Sequence, residues 1–275
     1  MDLYLKTKDY SVSGETFELY HDPDADMLVT SPQPQDLGKY YESEAYISHT
    51  DAREGFIDQL YQGVKKYSLS KKAKLIEKYK HGHLTLLDVG AGTGDFLATT
   101  QKRGWTVSGV EPNTAARERA KQKGINLSTT LKELSGKQFD VITLWHVLEH
   151  LPDLKDQIKE FKNLLSDDGI LVIAVPNFKS YDASHYNKFW AAYDVPRHLW
   201  HFSQNSIASL FAKERMHVFQ TKPMLFDSFY VSLLSEKYKT GKQNLIKAFC
   251  IGLLSNFKAW RSREYSSLIY LLKKD

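Results

Sequence analysis

A doubly wound α/β fold, with a mostly parallel sheet of seven strands and helices on both faces, is what this sequence of 275 residues predicts. Three observations carry that expectation. Between residues 84 and 175, apolar runs of strand length alternate with helical stretches, the order that parallel strands joined by crossover helices require. The first run, LTLLDV at 84–89, is nearly unbroken, as in a strand covered on both faces. A glycine turn, DVGAGTGDF, follows it directly.

Each element can be argued in order. Residues 1–60 read as an N-terminal addition. Within it, ETFELYHDPDADMLVTSP forms two short strands around a turn at 22–26, and LGKYYESEAYISHT offers Tyr40, Tyr41, Tyr46 and His49 as an aromatic cap. The turn is a metal-free ribbon tip. A calcium loop would need glycine where Met27 stands and glutamate where Gln33 stands. The main domain covers 61–275. Its lysine-rich opening, 65–83, has apolar residues at helical spacing and reads as an amphipathic helix with a solvated basic face. After the 84–89 strand come a helix at 95–103 closed by Gly104, a strand at 106–110, and a helix capped by Asn113 and ended at Gly124. A short strand at 125–127 leads to the strand 139–144, Pro152 opens a helix to about Ser166, and Gly169 starts the fifth strand. Beyond a polar and aromatic connection at 177–202, Ser203 caps a helix through Glu214, a strand occupies 217–222, and a helical insertion at about 225–262 precedes the last strand at 265–272.

Composition excludes several function classes. Hydrophobic residues make up 42% and charged residues 25%, ordinary for a folded chain, and the net charge is only +4, so a nucleic-acid partner is not expected. A single cysteine, Cys250, permits neither an intrachain disulfide nor a thiolate zinc cluster. The N-terminus lacks an apolar leader and no segment reaches ~18 unbroken apolar residues, which points to a cytoplasmic protein without a spanning helix.

The glycine turn narrows the ligand. Gly90, Gly92 and Gly94 stand in G-x-G-x-G spacing, whereas a dinucleotide site wants G-x-G-x-x-G and here meets Asp95 at its third glycine. A carboxylate at that helix N-terminus competes with a pyrophosphate for the same positive end, so a ligand without phosphate fits better. Glu111 ends the second strand, 21 residues after Gly90, where an acid accepts hydrogen bonds from a ribose. Asp88 lies inside an apolar strand and needs a partner, either local backbone amides or a ligand cation.

Together, LLDVGAGTGDF, GVEPN, FDVITLWHVLEHLPD and DDGILVIAVPN resemble the class I S-adenosylmethionine-dependent methyltransferases over about residues 84–175. The resemblance implies a Rossmann-like methyltransferase fold and S-adenosyl-L-methionine as cofactor. It implies that Gly90, Ala91 and Gly92 back the methionine part, that Glu111, followed by Pro112, binds the ribose, and that Asp88 faces the amino group. An acidic residue that many members carry after the third strand is missing, which leaves backbone groups of Thr130 and Leu131 to meet the adenine. The loop after the fourth strand would line the methionine end with Trp145, His146 and Val147. Trp145 could face the sulfonium or simply fill the core.

That loop also spells H-x-x-E-H through His146, Glu149 and His150, the signature of the inverted zinc peptidases. Such a site needs both histidines one turn apart on an intact helix plus a third ligand, and Pro152 cuts the helix short. No metal is expected on this ground. A second element, YDVPRHLWHFS, resembles a D-x-P-R-H-L-x-x-F sequence of a bacterial subgroup of these enzymes. It makes His198 a candidate base or substrate ligand, with His150 as a second, and Arg197 an anchor for an acidic group or for Asp194; bracing of the loop is the alternative role.

The expected function is transfer of a methyl group to a small-molecule acceptor, an oxygen nucleophile on a lipid-linked or glycan intermediate among the options. The rival readings are a non-catalytic nucleoside-binding module and a zinc peptidase. For the apolar segment 244–260, four roles stay open: a roof over a hydrophobic pocket, a homodimer contact, contact with a membrane surface, and core packing.

Overall fold

A computed structural model describes residues 1–40 and 56–275. The central sheet is built from β4 (Thr85–Val89), β5 (Thr106–Val110), β6 (Phe139–Trp145), β7 (Leu165–Pro176), β9 (Met216–Pro223) and β10 (Ser267–Lys274). Their order is β5-β4-β6-β7-β10-β9. The first four are parallel, and β10 runs antiparallel to both β7 and β9. The alternation of side chains along a strand sorts the core into two layers. Leu87, Val89, Ile142, Leu144, Leu171 and Ile173 share one face with Ile158 and Phe161 of α4 (Leu154–Leu164). Leu86, Val141, Val172 and Ala174 share the other with Ile76 of α1 (Phe56–Glu77) and with Phe96 and Leu97 of α2 (Asp95–Gln101).

The expected seventh strand at 125–127 does not form among the described residues. One parallel bridge, Val110 to Ser128, is what joins this stretch to the sheet edge. Thr130 then caps a single 3-10 turn, Leu131–Leu134, in a capping box with Glu133, and this local bonding diverts the chain before a ladder can grow. Asn113 caps α3 (Thr114–Lys121) by accepting from the Ala116 N–H, as its sequence position predicts.

The N-terminal addition is a four-stranded antiparallel ribbon of β1 (Asp2–Lys8), β2 (Thr16–Asp22), β3 (Met27–Ser31) and β8 (Trp200–His201). Asp22 faces Met27 across the tip, where its carboxylate accepts from the Asp24 and Ala25 N–H groups. The sequence reading found β2 and β3 but neither β1 nor the fourth strand, which arrives from the D-x-P-R-H-L element some 170 residues later. Tyr40 is buried and its hydroxyl donates to Glu15, whereas Tyr41, Tyr46 and His49 of the expected aromatic cap lie outside the described residues.

Connections 177–202 and 225–262 are more helical than extended. The first contains α5 (Tyr181–Tyr186) and leads through Ser203, which caps α6 (Gln204–Ala212). The second is a helical pair, α7 (Asp227–Thr240) and α8 (Leu245–Ser262). Ala248, Gly252, Ser255 and Ala259 form the buried face of α8, whereas Ile246, Phe249, Leu253, Phe257 and Trp260 run along its exposed face.

Candidate functional site

The carboxyl ends of β4, β5 and β6 open onto one cleft, the position where an open α/β sheet holds its ligand. Gly90 turns the chain out of β4 with φ of 69°, and a Cβ built there would stand 2.5 Å from the Val147 Cγ2. Glycine is therefore required both by backbone conformation and by the close approach of the β6 loop. Gly92, at φ of 52°, has nothing within 4 Å of its missing Cβ, which leaves room for a ligand against the backbone. Glu111 spans the mouth of the turn. Its Oε2 accepts from the Gly92 N–H and its Oε1 from the Asn113 N–H, both at 2.9 Å, so the carboxylate is fixed between turn and second loop, next to Pro112. Ala91 is buried beside it. Asp95 opens α2, where Lys123 Nζ lies 2.6 Å from its Oδ1.

Asp88 is buried one layer below. It accepts a 2.6 Å hydrogen bond from the Thr143 hydroxyl of β6, and burial nonetheless pushes its carboxyl up to about 7, against the pull of Thr143 and of Lys72. Lys72 comes from α1 and is a residue the sequence reading placed on a solvated face. Its ammonium instead leans inward, 4.3 Å from the centroid of the Trp145 ring, and burial holds its pKa below the ordinary lysine value despite Asp88 and Asp227. The Trp145 indole also meets Phe96 edge-on, and its buried Nε1 has no hydrogen-bond partner among the described residues. The face expected to meet a sulfonium is thus occupied by a cation of the chain itself. Thr130 stays exposed with its N–H directed at Glu133, and Leu131 packs into the core.

At the other end of the cleft the H-x-x-E-H letters form one 3-10 turn, Leu148–His150, and not a helix. His146 adopts φ of 57° and is drawn away from His150: its Nδ1 lies 3.4 Å from Glu149 Oε1 and its Nε2 3.1 Å from Asp227 Oδ2. Burial opposes the charge on this ring, but the two carboxylates hold it protonated, with a pKa pushed up to about 10. His150 behaves oppositely. Burial and then His198 lower its pKa to about 4, and its Nδ1 lies 3.0 Å from the Arg197 carbonyl oxygen. The geometry of a zincin, with His146 and His150 on one helix face, does not exist here.

The D-x-P-R-H-L element closes this end. His198 places Nδ1 2.9 Å from the Ala192 carbonyl and its ring edge-on to His150, centroids 4.5 Å apart, while the Leu199 N–H donates to the Glu149 carbonyl. His201 is fully interior, 3.0 Å from the Thr30 hydroxyl. Arg197 is 1% exposed and spends its donors within the protein, on both Asp194 oxygens, Asp9 Oδ1, Ser11 and the Tyr40 carbonyl. Of its two expected roles, the geometry carries the anchor for Asp194; no donor is turned toward an acidic ligand. Lys72, Thr143 and Asp227 also stand at this candidate site and were not singled out in the sequence, whereas Glu149 was named there only as part of H-x-x-E-H.

A doubly wound sheet with a glycine turn, an acid at the end of the second strand and a β6 loop over the turn defines the Rossmann-like methyltransferase fold. Comparison with known proteins agrees. Residues 58–214, more than half of the chain, match a methyltransferase domain, and the chain belongs to that family, with S-adenosyl-L-methionine as its cofactor. It is 35% identical to a ubiquinone biosynthesis O-methyltransferase of Actinobacillus pleuropneumoniae over 106 residues, covering 34% of this chain and 45% of the relative. It is 31% identical to the Coxiella burnetii protein of that name over 120 residues, 38% of this chain and 51% of the relative. The chain thus spans about half the length of these curated relatives. Among solved structures it resembles the magnesium protoporphyrin IX methyltransferase of Synechocystis, with bound S-adenosylhomocysteine, at TM-score 0.56, 14% identity and coverage of 86% and 97% of the two chains. It also resembles the geranyl diphosphate C-methyltransferase of Streptomyces coelicolor, at TM-score 0.53, 14% identity and coverage of 75% and 79%. At such identities the likeness is one of fold.

Proposed function

We propose that this protein transfers the methyl group of S-adenosylmethionine to an oxygen of a small hydroxylated acceptor borne on a lipid or otherwise apolar carrier. The observation that carries the cofactor half is the Glu111 carboxylate fixed across the open space at Gly92, a cradle that suits a ribose beside a phosphate-free chain. In this reading Glu111 receives the ribose hydroxyls, the Gly90 to Gly92 backbone supports the methionine part, and Asp88 takes its amino group. Lys72 meets its carboxylate and so leaves the Trp145 face to the sulfonium. Bound there, the cofactor supplies a methyl group on an activated sulfonium. The protein's own contribution is alignment and exclusion of water.

Three supports point to the acceptor. The curated relatives are named as O-methyltransferases. The imidazoles of His150 and His198 stand at the acceptor end, and His150 is a poor base, because a ring held near 4 takes up little proton near neutrality, which leaves His198 as the candidate. An apolar stripe on α8, with Phe226 and Tyr230 exposed nearby, offers a surface for a lipid carrier. The helix carries Lys247, Lys258 and Arg261 and no acidic residue, and no described helix is long and apolar enough to cross a membrane. Calorimetry with S-adenosylhomocysteine tests the cofactor half, and absence of binding would sink it. Transfer of labelled methyl to an organic extract, in a base-stable ether, tests the acceptor half. A binding module without activity would show the first result and not the second.

A further inference from the structure

The helical pair α7 and α8 shows two unlike faces. Its inner face is held by short contacts. Gly252 lets the α8 backbone close on α7 so tightly that a Cβ there would stand 3.0 Å from the Phe229 N and Cα, and the Ser228 hydroxyl donates to the Gly252 carbonyl. Lys247 pairs with the buried Glu236 at 2.9 Å, Ser255 donates to Asp182, and the Lys258 ammonium lies 3.7 Å from the Tyr181 ring centroid. The outer face is different. At 3.6 residues per turn, Ile246, Phe249, Leu253, Phe257 and Trp260 fall on one stripe, and each is 53 to 80% exposed. Phe249 stacks on Phe229 with centroids 5.4 Å apart, which joins the stripe to Leu225, Phe226 and Tyr230, also exposed, at the start of α7. Single exposed apolar residues are ordinary on a folded chain, whereas a contiguous stripe of large ones marks a binding surface.

Charge decides what that surface meets. Residues 225–264 hold seven lysines and arginines against three acids, a net charge of +4 that equals the net charge of the whole chain. All three acids have partners within the protein: Asp227 pairs with His146, Glu236 with Lys247, and Glu264 accepts from the Asn177 amide. Among the bases, Lys237 lies on the Phe226 and Tyr230 side of α7, Lys242 in the turn before α8, and Arg261 one turn beyond Phe257, all exposed. A second copy of the chain, packed face to face about a twofold axis, would set base against base. We infer that the outer face of α7 and α8 docks on the surface of an anionic lipid bilayer, with the apolar stripe in the interfacial layer and the bases at the level of the phosphates. A helix with Trp, Phe and Leu on one side, bases beside them and no acid binds a membrane in this way. It lies on the bilayer, since no described helix is long and apolar enough to cross one. The pair stands outside residues 58–214, so this surface is not part of the matched methyltransferase domain.

The surface begins at the rim of the cleft, because Asp227, next to Phe226, lies 3.1 Å from His146 Nε2 of the β6 loop. Docking therefore turns the end proposed for the acceptor toward the bilayer. That consequence rests on the reading of a lipid-borne acceptor; the docking does not. The test uses the full chain without cofactor or acceptor, sedimented with vesicles of phosphatidylcholine alone or with about a third phosphatidylglycerol. Binding to the anionic vesicles should be at least about tenfold tighter than to the neutral ones and should weaken as salt is raised. Lipids brominated along the acyl chain should quench Trp260, the exposed member among tryptophans that are otherwise buried or half-buried, and Trp260→Phe should remove that quenching. Phe257→Glu should lower vesicle affinity about tenfold or more and Arg261→Gln about fivefold, with unchanged circular dichroism spectra and unchanged affinity for S-adenosylhomocysteine. Failure to sediment with either vesicle, equal binding by Phe257→Glu, or quenching that survives Trp260→Phe would overturn the inference. So would a dimer in sedimentation velocity that Phe257→Glu dissociates while vesicles stay unbound, since the face then belongs to a second copy. Should the variants not fold, brominated lipid with the wild-type chain decides: quenching supports docking and its absence overturns it. Loss of docking with S-adenosylhomocysteine still bound leaves the methyltransferase reading intact, and absence of S-adenosylhomocysteine binding leaves the docking intact.

Discussion

The two ends of the cleft are built by different means. The cofactor end is local: Asp88, Gly90, Gly92 and Glu111 lie within 24 residues of sequence, and much of the work is done by backbone N–H groups and by the space that glycine leaves. The end proposed for the acceptor is assembled from far-apart pieces. Arg197 reaches Asp9, Thr30 reaches His201, and Glu149 and His150 meet the 197–199 segment. A ligand site made of backbone can be written in a short motif, whereas one made of converging side chains depends on the whole fold.

The largest expected effect strikes the assembled end. Arg197→Met leaves Asp9 and Asp194, one wholly and one largely buried, without their cation. Breaking such a pair from one side costs about 3 to 5 kcal/mol, read as a lowered denaturation midpoint in urea. Affinity of the folded variant for S-adenosylhomocysteine should stay within a few-fold, and a large loss would mean that the ends are not separable. Next comes Glu111→Ala. Loss of hydrogen bonds to a charged group is worth about 1.5 to 3 kcal/mol, so calorimetry should show roughly 10- to 150-fold weaker S-adenosylhomocysteine, with little change in thermal midpoint. Equal binding would remove Glu111 from the ribose.

Asp88→Asn sharpens the cofactor end further, because stability and binding should move in opposite senses. The Asp88 carboxyl has a folded pKa near 7, above its unfolded value near 3.8, so the unfolded chain sheds its proton first and stability falls as pH rises between those values. The asparagine variant escapes that loss. Without cofactor it should be more stable than wild type by roughly 1 to 3 kcal/mol at pH 8 and equal to it near pH 3, measured by denaturant unfolding at both pH values, while its S-adenosylhomocysteine affinity declines. The smallest effect is that of Lys72→Ala, about 1 kcal/mol or some fivefold in affinity, fading as salt is raised. A variant that binds tighter would show that Lys72 obstructs the cleft.

Most of the fold was legible because hydrophobic alternation and caps are local signals: the strands after residue 84, the Asn113 and Ser203 caps and the glycine turn all stand where the sequence puts them. What failed was decided by competition or distance. The stretch 125–127 has strand-like letters, but Thr130 and Glu133 bond locally and end the pairing at one bridge. β8 is two residues long and has no periodicity to detect. Lys72 sits on a helix whose lysines look alike in sequence, and only the packing of α1 over Trp145 separates it from its solvated neighbours. In H-x-x-E-H, the proline correctly excluded a helix but could not reveal that His198, 48 residues further on, packs edge-on against His150.

The fourth strand of the ribbon changes what the boundary near residue 60 means. Because β3 completes its pairing with Trp200 and His201, and Asp9 neutralises Arg197, the first forty residues are not a detachable module grafted onto a catalytic unit. A chain begun at residue 61 would leave Trp200 and His201 without their strand partners and take from buried Arg197 one of its two carboxylates, so it should be recovered aggregated. The ribbon and the histidine-bearing loop are thus one structural unit, each holding the other in place.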